Sequence, residues 1–417
     1  MIAFKMKDPL QNWLGLIVSS TDSPALNRFA ELAVSLFMHQ TVFYISLGLL
    51  LAYGLLILLY RRWFLMLEPF EPNQEKEPVT RFSIVIPARD EQANIGACLA
   101  SILKNQYPAH LYEIIVVNDH STDGTEAKVS ALQQEHPQLK LINLADHVGA
   151  GLNAYKKKAI ELAISQTTGD WIITTDADCV VSENWLSLFD AYIQETGVVF
   201  VAAPVQFEHT GSFISVFQVL DFMSLQGITA AAVGAGAHSM CNGANLAYQK
   251  KAFYEVGQFA GIDQIASGDD MLLMQKMRKA FSGKLGFLFH QSAIVSTLPM
   301  PNWKQFINQR IRWASKGTHY QDKSIFWVLL LVYLVNLSLL VLFILAFFQG
   351  TLEQFFYLLL FKTGVELFFL YPVSRFFGQT AQLIYFPIMQ PVHICYTVIA
   401  GWLGKFGNYQ WKGRNTK

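Results

Sequence analysis

The chain has 417 residues, with 31 basic and 31 acidic side chains, 52% hydrophobic residues and 15% charged residues, and a mean hydropathy of +0.29. Disorder needs low hydrophobicity and usually high net charge, and nucleic-acid binding needs a basic excess that displaces counterions from phosphates, so the balance excludes both. Soluble domains carry about 25% charged residues, so part of this chain is expected to sit in a solvent other than water.

Residues 1–41 form an N-terminal segment of mixed polarity. Val42 to Tyr60 is uncharged and long enough, at about 1.5 Å per residue, to cross a hydrocarbon core about 30 Å thick. Its position behind residues 1–41 reads as a retained anchor and not a cleavable signal. Arg61 and Arg62 close it and place the region after them on the cytoplasmic side by the positive-inside bias. Residues 61–80 read as a linker, with Glu68 to Thr80 rich in proline and acid.

From Arg81 to Tyr320 the pattern changes to short apolar runs separated by amphipathic stretches. Phe82 to Pro87, Glu113 to Asn118, Leu139 to Leu144, Trp171 to Thr175 and Val198 to Ala203 predict strands buried on both faces. Asn94 to Leu103, Thr125 to Glu135, Leu152 to Ser165 and Asn184 to Gln194 predict the helices between them. This alternation predicts an α/β domain at 81–320 with a mainly parallel, helix-covered sheet. Ser212 to Gln226 predicts an interfacial helix with a polar stripe of Ser215, Gln218, Asp221 and Ser224. Asn302 to Tyr320 carries Lys304, Arg310, Arg312 and Lys316 and no acid, and predicts a second one.

Residues 325–404 form a C-terminal membrane region of two to three segments, Ile325 to Phe348, Leu352 to Pro372 and Thr380 to Gly404. The second holds Lys362 and Glu366 on one helical face, and the third holds Pro387, Pro391 and His393. The basic tail, 405–417, favours the cytoplasmic side, yet three full crossings would leave it outside; a re-entrant second or third segment resolves the conflict. Cys98, Cys179, Cys241 and Cys395 are scattered without ligand spacing and read as packing residues in a reducing compartment.

Ligands of open α/β sheets gather beyond the carboxyl ends of the strands, and acids collect there. The first strand runs into Pro87-Ala88-Arg89-Asp90-Glu91, the second into Asn118-Asp119-His120, and the fourth into Asp176-Ala177-Asp178. Asp123, ahead of Gly124-Thr125, reads as a helix cap. Two carboxylates one residue apart after a buried strand suit a hard divalent ion that also holds phosphate oxygens.

These motifs, followed by Asn242-Gly243-Ala244-Asn245, Gly268-Asp269-Asp270 and Gln309-Arg310-Ile311-Arg312-Trp313, resemble in order and spacing the membrane-anchored glycosyltransferases of family 2. That group has a GT-A, Rossmann-like fold and includes cellulose, chitin and hyaluronan synthases and ceramide glucosyltransferases. The resemblance implies that Glu91 and Asp119 contact the nucleotide of a sugar donor, with Pro87 and Ala88 shaping the pocket beside base and ribose. It implies that Asp178 binds Mg²⁺ or Mn²⁺, with Asp176 as the first acid near ribose and sugar. Lys156 stands where relatives place a lysine near the donor, although Lys157 and Lys158 beside it leave that role open, and Glu161 replaces a common asparagine. Asp270 resembles the general base and Asp269 its neighbouring acid, while a helix opening at Met271 offers the other reading, an N-terminal helix charge. Asn242, Gly243 and Asn245 belong with the acceptor and diphosphate, as do Gln309, Arg312 beside the leaving diphosphate, and Trp313 as an acceptor platform.

The resulting expectation is a multi-pass membrane enzyme, in the cell inner membrane if bacterial, with a cytoplasmic catalytic domain. It would move a sugar with inversion from a nucleotide-diphosphate sugar, UDP-linked, to a lipid or lipid-linked saccharide. A processive polysaccharide synthase is the alternative, carried by the Gln-x-x-Arg-Trp pattern, and an inactive membrane scaffold is a remote one.

Overall fold

The computed structural model describes residues 24–417 apart from 74, 150–153, 266, 319, 321, 408, 412–413 and 417. The first 23 residues of the N-terminal segment, and the first two of the helix expected from Leu152, thus lie outside the described residues. The chain opens with α1 (Pro24–Leu65) and enters the sheet domain with β1 (Phe82–Ala88), α2 (Ile95–Leu103), β2 (Tyr112–Asn118), α3 (Thr125–Glu135), β3 (Leu139–Asn143), α4 (Tyr155–Ser165) and β4 (Trp171–Thr174). There follow α5 (Trp185–Thr196), β5 (Phe200–Ala202), β6 (Val205–Phe207), α6 (Phe213–Gly234), β7 (Leu246–Gln249), α7 (Lys250–Glu255), α8 (Met271–Ala280), β8 (Leu285–Phe287), β9 (Val295–Thr297) and α9 (Trp303–Ser315). The last elements are α10 (Lys323–Gln349), α11 (Leu352–Phe376), α12 (Phe386–Phe406) and a hairpin of β10 (Tyr409–Trp411) and β11 (Arg414–Thr416).

The main sheet has the order β3-β2-β1-β4-β7-β5-β8. Its first four strands are parallel, as continuous apolar runs joined by helices require. Two strands of this sheet were not foreseen in the sequence: β7, which inserts antiparallel between β4 and β5, and β8, which pairs parallel with β5 at the edge. Alternate side chains feed two cores: Ile84, Ile86, Ile114 and Ile173 point into one, while Val85, Ile115 and Ile172 point into the other. That second core runs without a break into Tyr53, Ile57 and Phe64 of α1 and Leu339, Leu358 and Phe369 of α10 and α11. Sheet and apolar helices therefore share one interior. The described residues of Glu68 to Thr80 form no helix or strand, yet the stretch is no loose linker. The Phe70 amide donates to the Phe289 carbonyl (2.9 Å), its ring meets Tyr192 edge-on, and the Thr80 amide donates to Asp190 (3.0 Å).

Among the described residues five helical stretches are long and apolar enough to cross a membrane: Phe37–Leu65, Phe213–Gly234, Lys323–Gln349, Leu352–Phe376 and Thr380–Phe406. The second of these, α6, is mostly buried inside the protein, which corrects its reading as an interfacial helix with an outward polar stripe. Ser215, Gln218 and Asp221 are buried. Asp221 pairs with Arg310 of α9 (2.7 Å) and accepts from the Tyr396 hydroxyl of α12, so the stripe faces neighbouring helices and not water. The cation stripe of α9 is likewise divided, because Arg310 and Lys316 are buried.

The end of α11 and the end of α12 each touch the sheet domain or α9. Phe376, at the end of α11, stacks on Phe289 of the sheet domain, and the Gln379 amide donates to the Ser374 carbonyl. At its other end, Gly404 abuts Ala314 and Ser315 of α9, against which β10 also packs. Between these points Gln390 reaches Glu366 and Lys362, ten and fourteen residues before the end of α11 and hence about 15 and 21 Å along its axis. Here α12 is one continuous helix of 21 residues with Pro391 inside it. Cys98 and Cys179 are buried, but Cys395 is exposed on α12, so the packing reading fails for that thiol.

Candidate active site

The carboxyl ends of β1, β2 and β4 and the amino end of the antiparallel β7 share one edge of the sheet, and the expected residues collect along it. Beyond β1 and β2 two loops are laced together. The Asp119 amide donates to the Ala88 carbonyl (2.7 Å), Arg89 donates to the Asp119 carbonyl (3.0 Å), and Asp90 accepts from the Thr122 amide (2.8 Å). Asp119 is buried, with its carboxylate 2.9 Å from Nδ1 of His120. Glu91 is half-buried and accepts from Asn94 (2.9 Å), while its amide donates to the Thr125 hydroxyl (2.8 Å). Asp123 accepts from the Thr125 amide at the start of α3 (3.0 Å), the capping contact its position predicts.

The centre of the edge is a knot of charge. Nζ of Lys156 lies 2.8 Å from Asp176 and 3.3 Å from Asp269. Burial alone would lower the pKa of this ammonium, but Asp176, Asp269 and Asp270 together hold it above its ordinary value. Burial alone would raise the Asp269 carboxyl, and Lys156, Lys316 and Lys157 hold it below the usual range. Of the three adjacent lysines only Lys156 reaches the acids. Lys157 is buried and donates to the carbonyls of Ile262 and Ser267, which anchors the loop leading to Asp269, and Lys158 pairs with Glu161.

Asp270 caps a helix, one of the two readings its sequence position allowed. It accepts from the Met271 amide at the start of α8 (2.7 Å) and from the Gly243 amide (3.2 Å), and it lies 3.8 Å from Nζ of Lys316. The turn that presents it needs glycine: Gly268 sits at φ +83°, and a Cβ there would also crowd Leu272. At Gly243 a Cβ would stand 3.3 Å from Asp269, so its absence lets the backbone approach the acids. Lys316 was legible only as one of four cations, yet its spacing from Arg310 and Trp313 (i, i+3, i+6), running just past the end of α9, was the available signal.

Two expected placements change. Asn245 is fully buried, accepts from the Trp185 indole (3.0 Å), and donates to the carbonyls of Pro204 (2.7 Å) and Ala293 (2.8 Å). It pins the strand and is not turned to an acceptor. Trp313 is half-buried, and its ring carries the Arg310 guanidinium 4.1 Å from its centre, so part of the supposed platform is occupied. Gln309 accepts from Arg310 (2.6 Å), Arg312 is half-buried, and Asn242 accepts from the Ala244 amide (3.0 Å).

Among the described residues no group of three or more His, Cys, Asp or Glu side chains is arranged to hold a metal. Asp176 and Asp178, half-buried and one residue apart at the end of β4, supply hard oxygen donors for part of a coordination shell. That donor set fits a Mg²⁺-like ion, which takes one or two carboxylates and completes its shell with substrate phosphates and water.

Residues 83–257 match the family described as Glycosyl transferase family 2, and residues 171–403 match Glycosyl transferase family group 2. The chain is similar to a β-monoglucosyldiacylglycerol synthase of Synechocystis sp., 33% identical over 109 residues covering 26% of this chain and 22% of that one. It is also similar to an N-acetylglucosaminyltransferase of Rhizobium meliloti, 26% identical over 58% of this chain and 56% of the relative, so it spans at most about half the length of these two relatives. A probable glycosyltransferase of Bacillus subtilis, YdaM, is 26% identical over 68% of this chain and 67% of its own. The mannosyltransferase PcManGT of Pyrobaculum calidifontis, solved with GDP-Man and Mn²⁺, shares the fold: TM-score 0.56 at 19% identity, over 85% of this chain and 97% of the other. By sequence motifs, sheet topology and family match over more than half its length, the chain belongs to glycosyltransferase family 2.

Proposed function

We propose that the protein is a membrane-bound inverting glycosyltransferase that moves a sugar from a nucleotide-diphosphate sugar, UDP-linked, to a hydroxyl of a lipid or lipid-linked saccharide at the cytoplasmic face. The observation that carries this reading is the convergence of Asp176, Lys156, Asp269, Asp270 and Lys316 on one sheet edge, with Lys316 following α9 where it packs against the apolar helices. Asp119 and Glu91 would hold the nucleotide, with Pro87 and Ala88 beside base and ribose. Asp178 and Asp176 would hold Mg²⁺ or Mn²⁺, which when bound neutralises charge on the departing diphosphate.

The acceptor oxygen attacks the anomeric carbon as the bond from that carbon to the diphosphate breaks, and the hydroxyl proton passes to the Asp270 carboxylate. Lys156 and Lys316 hold the acids in place and offset the negative charge that arrives with the donor. Arg312, Gln309 and the free part of the Trp313 ring border the acceptor side. Three crossings, by α1, α10 and α11, with α12 returning, would put Arg61, Arg62 and Lys405 on the side of the sheet, as the positive-inside bias requires. The name of the Synechocystis relative supports a lipid acceptor.

The Gln309-x-x-Arg312-Trp313 pattern also favours a polysaccharide synthase, but two crossings after the catalytic domain leave little material to enclose a polymer. The purified chain, in nanodiscs of native lipid extract, should release nucleoside diphosphate from one donor of a panel and yield a single glycosylated lipid. A high-molecular-weight ladder would overturn the single-transfer reading, and no release with any donor would overturn the enzyme reading.

A further inference from the structure

Between α1, α6, α11 and α12 lies a partly enclosed cavity of about 50 Å³, room for a few waters or one small hydroxylated group. Its polar lining is Tyr53, Asp221, Ser224, Glu366, Gln390 and His393. Ionisable groups at membrane depth mark functional sites by default, and the simplest alternative is a polar clasp that only joins helices. Glu366 fits that alternative, because Lys362, Tyr53 and Gln390 together use the capacity of its two oxygens. The rest of the lining does not. Asp221 accepts two bonds from Arg310 and one from Tyr396, which leaves acceptor capacity on Oδ1. The Ser224 hydroxyl spends its proton on the Asp221 carbonyl and keeps its lone pairs. Nδ1 of His393 is buried with no hydrogen-bond partner among the described residues.

The two cations, Lys362 and Arg310, are drawn into their ion pairs and do not line the space. The wall thus offers acceptors and no ammonium or guanidinium, which suits hydroxyl donors and repels phosphate. From this cavity α9 leads to the catalytic edge: Arg310 binds Asp221, stacks on Trp313, and lies six residues, about 9 Å, before Lys316 beside Asp270. Resting on the transferase reading above, we infer that this cavity binds the neutral, hydroxyl-bearing headgroup of a diacylglycerol-type lipid.

The test uses the full chain in nanodiscs and a dioctanoylglycerol carrying a diazirine next to the glycerol, with cross-links mapped by peptide mass spectrometry. Labelling is expected on α6, α11 and α12 around Ser224, Glu366 and His393, displaced by unlabelled dioctanoylglycerol and not by dioctanoyl phosphatidic acid. Ser224→Leu, which fills the space, and His393→Phe, which removes the unpartnered nitrogen, should each cut labelling about tenfold at an unchanged unfolding midpoint. Labelling only elsewhere, indifference to both variants, or equal displacement by phosphatidic acid overturns the inference. Correct labelling without sugar transfer would instead overturn the transferase reading, so the two failures are distinct.

Discussion

Two clusters of opposite charges dominate this molecule, one at the sheet edge and one among the apolar helices, and they solve different problems. At the sheet edge Asp176, Asp269 and Asp270 share Lys156 and Lys316, and the Asp176 side chain keeps 39% of its exposure. Among the helices Asp221 has Arg310 and Glu366 has Lys362, with the two cations 4% and 0% exposed. The first arrangement carries one more acid than lysine and keeps contact with water, so its groups can exchange partners for a substrate. The second matches each acid to one cation, because a buried charge left alone is strongly destabilising.

Replacing an acid at the sheet edge should therefore remove activity and spare the fold. Asp270→Asn is the sharpest form, because asparagine caps a helix about as well as aspartate and keeps the contact to the Met271 amide. Nucleoside diphosphate release with acceptor should fall by about 10²–10⁴-fold, with the unfolding midpoint unchanged. Activity close to wild type would show that Asp270 is only the cap of α8.

In the helical cluster the expectation reverses. Arg310→Ala strands the Asp221 carboxylate and should destabilise the protein by about 3–5 kcal/mol, read as a lowered unfolding midpoint in detergent. Replacing both partners, Asp221→Leu with Arg310→Met, should restore most of that loss, since apolar substitutes for a buried pair are often neutral or better. If the single variant unfolds normally and only loses turnover, the pair belongs with the catalytic groups and the contrast between clusters fails.

The two clusters were also unequally legible. The sheet edge was readable because strand ends deliver local motifs to one place: Asp176-Ala177-Asp178 follows a buried apolar run, and register then sets it beside Asp119 and Asn242. The choice of Lys156 over Lys157 was not readable. A shift of one residue on α4 turns a side chain by about 100°, and which direction meets the acids depends on β4 and the Asp269 loop. The helical cluster gave only one local hint, the i, i+4 spacing of Lys362 and Glu366. Asp221 and Arg310 lie 89 residues apart, and Tyr53 and Glu366 313 apart, so nothing short of the packed structure pairs them. The polar stripe on α6 was therefore assigned to water when its partners were other helices. Asn245 was misplaced for a related reason: its motif marks the site, but β7 pairing turns that side chain into the core.

Lys156→Met sits between the extremes. It leaves Asp176 and Asp269 without their nearest cation in a place that water still reaches, so the fold should hold. The loss of charge-assisted bonds worth about 1.5–3 kcal/mol should appear as roughly a ten- to hundredfold rise in KM for the donor. A comparable rise from Lys157→Met, with donor KM untouched in Lys156→Met, would reverse the assignment of these two lysines.

The smallest effect separates a third kind of carboxylate from both clusters. Glu113 lies on β2 at the end of the sheet away from the site, where it accepts from Ser83 (2.8 Å), Lys140 (2.7 Å) and the Thr168 amide and hydroxyl. Burial alone would raise its pKa, but Lys140, Thr168 and Ser83 push it down to about 2, below the ordinary 4.5. The folded protein thus releases this proton more readily than the unfolded chain. The stabilisation is complete above about pH 4.5 and is lost as pH falls towards 2. Lys140 is nearly half exposed, so solvent screens its share, and Glu113→Gln should lower stability by only about 1 kcal/mol at neutral pH. The gap between wild type and variant in urea unfolding should then narrow as pH drops from about 5 to about 3, where the unfolded chain takes up the proton while the folded protein still holds the charge. A gap constant across that range would mean that Glu113 acts through its shape and hydrogen bonds, without its charge. Transfer activity should be unaffected at neutral pH, which distinguishes this carboxylate from Asp270.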